Sequence, residues 1–224
     1  MKAITLRIES YSRYFRFDKR LYFLLLCLLI FANSYVMREF IITKDVFYRT
    51  YGEQVATERI DQYLHLRDQV KWIVFGFIPV ILLIKISLVA VCLTSGAELM
   101  NYNLGFKKAF KIALVAEMVF IVATYLRTIG LILFVNINVI QDIQQFSPLS
   151  LASVLPMNKF PDWLSYPLLT VNLFEVAYMF ALASGVSYAL QKNFRQSFRL
   201  VFYSYGLGLL IWMVTIVFLS INFS

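Results

Sequence analysis

Four side chains able to carry charge fall inside the apolar runs of this chain: Lys85, Glu117, Arg127 and Glu175. A charge near the centre of a bilayer costs about 2.5 to 3.5 kcal/mol on insertion scales, whereas a Leu or Ile there returns only a few tenths. Each such residue therefore needs a partner. Arg127 stands about nine residues, roughly 13 Å, from the outer end of its run, and Glu175 about ten residues, roughly 15 Å, from the outer end of its own. Equal depth predicts a buried Arg127–Glu175 ion pair, with Asn172 one turn before Glu175 supplying a hydrogen bond on the same face. Lys85, near the middle of its run, can join them or snorkel to the interface alone. Glu117 lies near the cytoplasmic end of its run, within reach of water. Such a set can relay a proton or ion through a carrier, or it can fix helix register as a structural pair.

The elements that position these residues follow from composition. The chain has 224 residues, 60% of them apolar and only 15% charged, with a mean hydropathy of +0.71. Soluble domains run at about 45 to 50% apolar. Here the apolar residues collect in five runs at 21–37, 72–95, 112–135, 165–190 and 200–221. Most approach the roughly 20 residues that a bilayer core requires. The expected fold is all-α: a polytopic bundle of about five transmembrane helices, with residues 72–221 as a four-helix region. The first run follows twenty largely polar residues and ends without good small-residue cleavage chemistry, so it reads as a retained helix and not a signal peptide.

Residues 1–20 place Ile4, Ile8, Tyr11 and Phe15 at helical spacing among Arg7, Arg13, Arg16, Lys19 and Arg20. That pattern predicts an amphipathic interfacial helix whose basic residues bind the lipid surface. Six Lys and Arg precede the first run, three lie in 96–111 and three in 191–199, against six in 38–71 and one in 136–164. Positive-inside bias then puts the N-terminus in the cytoplasm and the C-terminus outside. Residues 38–71 balance six basic side chains with six acidic ones, which suggests a solvated helical hairpin or an extension of the second span, and the best docking place for an external partner. Residues 142–167 carry four prolines and read as interfacial turns on the outer face, or as a re-entrant loop if protein covers the freed backbone groups.

Small residues recur every four positions at Ala177, Ala181 and Gly185 and at Ser204 and Gly208. They suit close helix packing, either within the bundle or across a homodimer. The chain has no HExxH, GxSxG, phosphate loop or CxxC, and its two cysteines, Cys27 and Cys92, and single histidine, His65, favour neither a metal site nor a disulfide. The expectation is a non-enzyme with no cofactor, no metal and no nucleic-acid partner, lodged in the lipid bilayer beside a membrane-protein partner or another copy of itself. A lipid-modifying enzyme would have only Asp142 and Asp162 as obvious acids in the outer segment.

Three stretches carry a resemblance: residues 104–110, from Leu104 to Phe110; Phe146-Ser147-Pro148-Leu149-Ser150-Leu151 with Leu155-Pro156; and Val171-Asn172-Leu173-Phe174-Glu175 with Ala183-Ser184-Gly185. In these the chain resembles the bacterial branch of the Yip family, five-span membrane proteins of the Ypt/Rab-interacting type. The resemblance implies five spans, a cytoplasmic N-terminus, a bacterial inner membrane, and a scaffold or accessory role beside other membrane machinery such as an exporter. The acidic Asp-Leu-Tyr-Gly-Pro motif of eukaryotic members is absent, which removes the ground for expecting GTPase binding. The competing reading is a small ion- or proton-coupled carrier using Lys85, Arg127 and Glu175.

Overall fold

Apolar runs flanked by charge fold into helices because, in lipid, a helix satisfies its backbone polar groups internally. The computed structural model describes residues 18–153 and 162–223; the proposed amphipathic segment with Arg7, Arg13 and Arg16, and Pro156 and Pro161, lie outside the described residues. The described residues are helical with no strand beyond one isolated bridge, and five helices are long and apolar enough to cross a membrane. The chain is an all-α polytopic bundle.

Helix α1 (Lys19–Val36) starts at Asp18, whose carboxylate accepts the Arg20 N–H at 2.9 Å, and ends in a π-helical turn, Met37–Ile41. Lys19 and Arg20 are thus the first turn of a span and lie exposed. Residues 44–69 form a helical hairpin, one of the two expected alternatives, from α2 (Lys44–Tyr51) and α3 (Thr57–Gln69) around a small core of Phe47, Ile60 and Leu64. Helix α4 (Lys71–Leu99) follows directly. The third span joins α5 (Phe106–Ala116) to α6 (Met118–Phe134) with a break at Glu117. A short α7 (Ile140–Gln145) opens the segment between the third and fourth spans, and α8 (Ser165–Thr170) closes it. Then come α9 (Leu173–Leu190), α10 (Phe194–Val201), a second π-helical turn (Phe202–Gly206) and α11 (Leu207–Phe223).

The first span runs longer than expected, over Lys19–Ile41, the second over Lys71–Leu99, and the fifth starts at Phe194 and not 200; two further shifts matter to the site. The third span begins at Phe106 and not 112, because Lys107, Lys108 and Lys111 lie on the helix itself, their long stems letting the charges stay at the interface. The fourth begins at Leu173 and not 165: α8 is separate, and Asn172 caps α9 by accepting the Glu175 N–H at 2.8 Å. The freed backbone at this break is paired with residues 149–151, the Leu151 N–H donating to Val171 O at 3.1 Å and the Leu173 N–H to Leu149 O at 2.9 Å. This is the protein cover that irregular backbone at a membrane requires.

The core draws on α1, α4, α5, α6, α9 and α10, with Leu26, Ile86, Leu93, Leu114, Tyr178, Leu182 and Leu200 fully enclosed. Two polar clamps tie α1 to α6: Thr128 Oγ1 donates to Asn33 Oδ1 at 2.9 Å, and Tyr125 Oη donates to Leu29 O at 2.9 Å. Of the small-residue stripes, Gly185 lies against Ile112, Ser204 against Gly96, and Gly208 against Cys92, so these three serve packing inside the bundle, while Ala181 is half-buried and Ala177 is exposed. A Cβ on Gly96 would overlap Ser204 Cβ, whereas one on Gly76, in the same helix, meets nothing within 4 Å. Gly96→Val is therefore expected to destabilise the bundle by about 2 kcal/mol through overpacking, with Gly76→Val near neutral. Equal unfolding midpoints for the two variants in mixed micelles would contradict this packing.

The hairpin after α1 consumes much of its own charge. Arg38 donates to Asp68 Oδ1 at 2.8 Å and to Arg67 O at 2.7 Å, Arg67 donates to Ile42 O at 3.2 Å, and Tyr48 hydrogen-bonds Asp61. The Arg38 hydrogen bond holds the Asp68 carboxyl below the usual carboxylate range. A carboxyl depressed on folding stabilises the fold above its unfolded pKa, about 4, and loses that contribution as pH falls through its lower folded value. Because Asp68 is exposed the effect is small. Hydrogen-exchange protection across residues 38–42 and 66–70 should weaken on acidification below about pH 4, and Asp68→Asn should abolish that dependence. An unchanged acid response in the variant assigns the effect to other groups.

Candidate functional site

Glu117 occupies the break between α5 and α6, eleven residues into its span, or roughly 16 Å from its start at about 1.5 Å per residue. It is only 3% exposed. The expectation that it reaches water at the cytoplasmic end is therefore overturned, because the helix starts earlier than its lysines suggested. Lys85 of α4 crosses to it, Nζ donating to Oε1 at 2.5 Å while the ammonium lies 3.9 Å from the Phe120 ring centroid. Glu117 and Phe120 are one helical turn apart, so both face α4.

The same spacing recurs on α9 with Glu175 and Tyr178. Glu175 lies in the first turn of α9, where the positive end of the helix dipole favours a carboxyl group. Its Oε1 accepts from Tyr205 Oη at 2.5 Å. Tyr205 belongs to the π-helical turn at 202–206, an irregularity that often marks functional positions in helices. Aromatic contacts join the two halves: Phe120 to Tyr178 at 4.5 Å between centroids, and Tyr178 to Tyr205 at 5.3 Å. A continuous chain thus runs Glu117, Lys85, Phe120, Tyr178, Tyr205, Glu175, drawn from α4, the third span, α9 and the second π turn. Two buried polar atoms within it have no hydrogen-bond partner: Glu117 Oε2 and Tyr178 Oη.

The predicted Arg127–Glu175 pair does not form. Arg127 Nε donates to Phe146 O at 2.9 Å and Nη2 to Ile143 O at 2.8 Å. A guanidinium fork at a helix C-terminus satisfies carbonyls that have no partner within the helix, and here it anchors α7 and the turn after it. The depth argument failed because Glu175 lies near the start of α9 and not ten residues into a span. Asn172 does lie beside Glu175, as its backbone cap and not as a side-chain partner. Lys85 is in the buried set, joined to Glu117. Asp142 accepts the Asn138 and Val139 N–H groups, which holds its carboxyl below the usual range and makes it a structural cap for α7.

A cleft of about 320 Å3 opens beside α7 and α8, lined among others by Arg127, Gln144, Thr170, Asn172 and Phe120. Phe120 thus borders both the cleft and the buried chain, standing between Arg127's surroundings and the Lys85–Glu117 pair. Tyr178 and Tyr205 were missed from sequence because a tyrosine in an apolar run reads as core; the only hint was the i, i+3 spacing of Glu175 and Tyr178. Among the described residues, no group of three or more His, Cys, Asp or Glu could hold a metal ion. Compared with family models, curated proteins and solved structures, the chain finds no match.

Proposed function

We propose that this protein is a non-enzymatic membrane scaffold, an accessory subunit that holds its place beside other membrane machinery, with its N-terminus in the cytoplasm and its C-terminus outside. The observation that carries this reading is the state of α11. Its principal contacts are with the adjoining π turn, α8 and the 162–164 turn, and a full helix of apolar side chains, Leu210, Ile211, Trp212, Val214 and Phe218 among them, is left open. Such a helix packs as well on a neighbouring protein's span as on lipid, and van der Waals fit decides between them. The resemblance to the Yip family at residues 104–110, 146–151 and 171–175 supports the same role and a bacterial inner membrane.

The test places a photo-crosslinking side chain at Trp212 or Phe218 in the intact chain, followed by purification in mild detergent. A stoichiometric membrane protein crosslinked from α11 supports the reading; lipid adducts alone overturn it. Reporter fusions after Lys108 and Ser197 should report cytoplasm, and those after Gly52 and Ser224 the outside. A cytoplasmic signal at Ser224 defeats the topology.

One observation favours a second reading, a proton- or cation-coupled carrier. One ammonium, Lys85, pairs with Glu117, the second buried carboxyl group, Glu175, accepts from the Tyr205 hydroxyl, and Glu117 Oε2 and Tyr178 Oη are unpartnered. A proton or a monovalent cation completes the charge balance there, and buried charge in a span is a functional pointer by default. Purified protein that alone moves a solute or protons in liposomes, and loses this with Glu117→Gln, would establish the carrier in place of the scaffold.

A further inference from the structure

At the opposite end of the bundle from the outer hairpin, four lysines from two helices line one hollow of about 430 Å3: Lys19 of α1, and Lys107, Lys108 and Lys111 of α5. Ile112, Tyr188, Ala189 and Gln191 complete the wall, and among the described residues no carboxylate lines it. We propose that this hollow binds the phosphate of an anionic phospholipid headgroup, with the acyl chains running down the apolar wall at Ile112 and Ala189.

The placement of charge argues for a bound anion. Lysines near a helix N-terminus oppose the positive end of the dipole and are unfavourable there. Yet α1 begins with Lys19 and Arg20, and α5 has Lys107 and Lys108 in its first turn with no acidic residue. Both helix starts bring lysines to the same hollow, and the Asp18 carboxylate caps the Arg20 N–H at the start of α1. The C-terminal end of α9 at Gln191 supplies some opposing partial charge, which the ammonium groups of Lys19, Lys107 and Lys108 exceed. A phosphate relieves the repulsion among them, and basic pockets between spans at a membrane surface take such headgroups. The sequence predicted only diffuse attraction through residues 1–20; the hollow is a separate feature, built mainly by the start of the third span. The proposal requires that the hollow lie at a membrane surface, not which surface it faces, so it stands apart from the scaffold reading.

The test is native mass spectrometry of the full chain in mild detergent, titrated with diphosphatidylglycerol, phosphatidylglycerol or phosphatidylcholine of matched acyl chains. The variant Lys107→Gln/Lys111→Gln is compared with Lys44→Gln/Arg59→Gln, which removes equal charge from the outer hairpin. Retention of the anionic lipids should fall roughly tenfold in the first variant, as expected for two lysines near a surface, and less than about twofold in the second. Equal loss in both, or equal retention of phosphatidylcholine, overturns the site. Inorganic phosphate is the second probe: if at millimolar concentration it displaces the lipid completely and binds without it, the ligand is a free anion and the lipid assignment fails. Should the variant not fold, amine-reactive labelling of the wild-type chain gives the answer. Anionic lipid should shield Lys107, Lys108 and Lys111 severalfold more than Lys44 and Lys71, and uniform shielding refutes the proposal.

Discussion

Lys85→Met is expected to lower the unfolding free energy of the bundle by about 3 kcal/mol, the low end of the cost of stripping a buried charge of its partner. The substitution keeps the apolar stem and removes the ammonium that Glu117 Oε1 holds at 2.5 Å, leaving a carboxyl that is 3% exposed with no counter-charge. Glu117→Gln should cost less, because the Lys85 stem is part-exposed, its ammonium can move toward an interface, and the Phe120 ring still faces it. The double variant should recover most of the loss, since a missing pair is cheaper than a stranded charge. Reversible unfolding in bicelles measures all four proteins of the cycle. A coupling energy indistinguishable from zero rules out the pair.

Arg127→Gln is expected to destabilise by about 2 to 3 kcal/mol, with the damage concentrated in α7 and the turn after it. It removes two charge-assisted hydrogen bonds to Ile143 O and Phe146 O, and hydrogen bonds to charged groups are worth about 1.5 to 3 kcal/mol each before relaxation and water recover part of that. Hydrogen exchange should rise across residues 140–150 and stay unchanged around Glu117. Glu175→Gln should cost less than Arg127→Gln, the Tyr205 hydroxyl still having an acceptor, and the two substitutions should be additive because they share no partner. A coupling above about 1 kcal/mol between Arg127 and Glu175 would reinstate the ion pair that the geometry excludes.

The difference between those two cycles marks where reading the sequence succeeded. The five spans were legible because each is a run of apolar residues long enough for lipid, a property of local composition alone. That residues 38–71 stay out of the bilayer core was expected because alternating charge cannot enter it, but the charge pattern left open whether they form a hairpin or extend the second span. Partner choice was a different matter. Arg127 and Glu175 were paired by counting residues from assumed span ends, and both counts rested on continuous helices. Asn172 capping α9 and the strap at 149–151 break the fourth span, while Lys107, Lys108 and Lys111 lengthen the third.

By itself, then, the sequence determined which segments enter the membrane, since burial in lipid is decided residue by residue from transfer free energy and run length. Lys85, Glu117, Arg127 and Glu175 were marked for partners on the same ground. Which partner each took was decided only by tertiary structure, because a hydrogen bond depends on a few tenths of an ångström and on helix rotation, and one break or π turn resets both. Glu117 met Lys85 where the third span bends against α4, Tyr205 reached Glu175 from the π turn, and Arg127 turned instead to the carbonyls of α7.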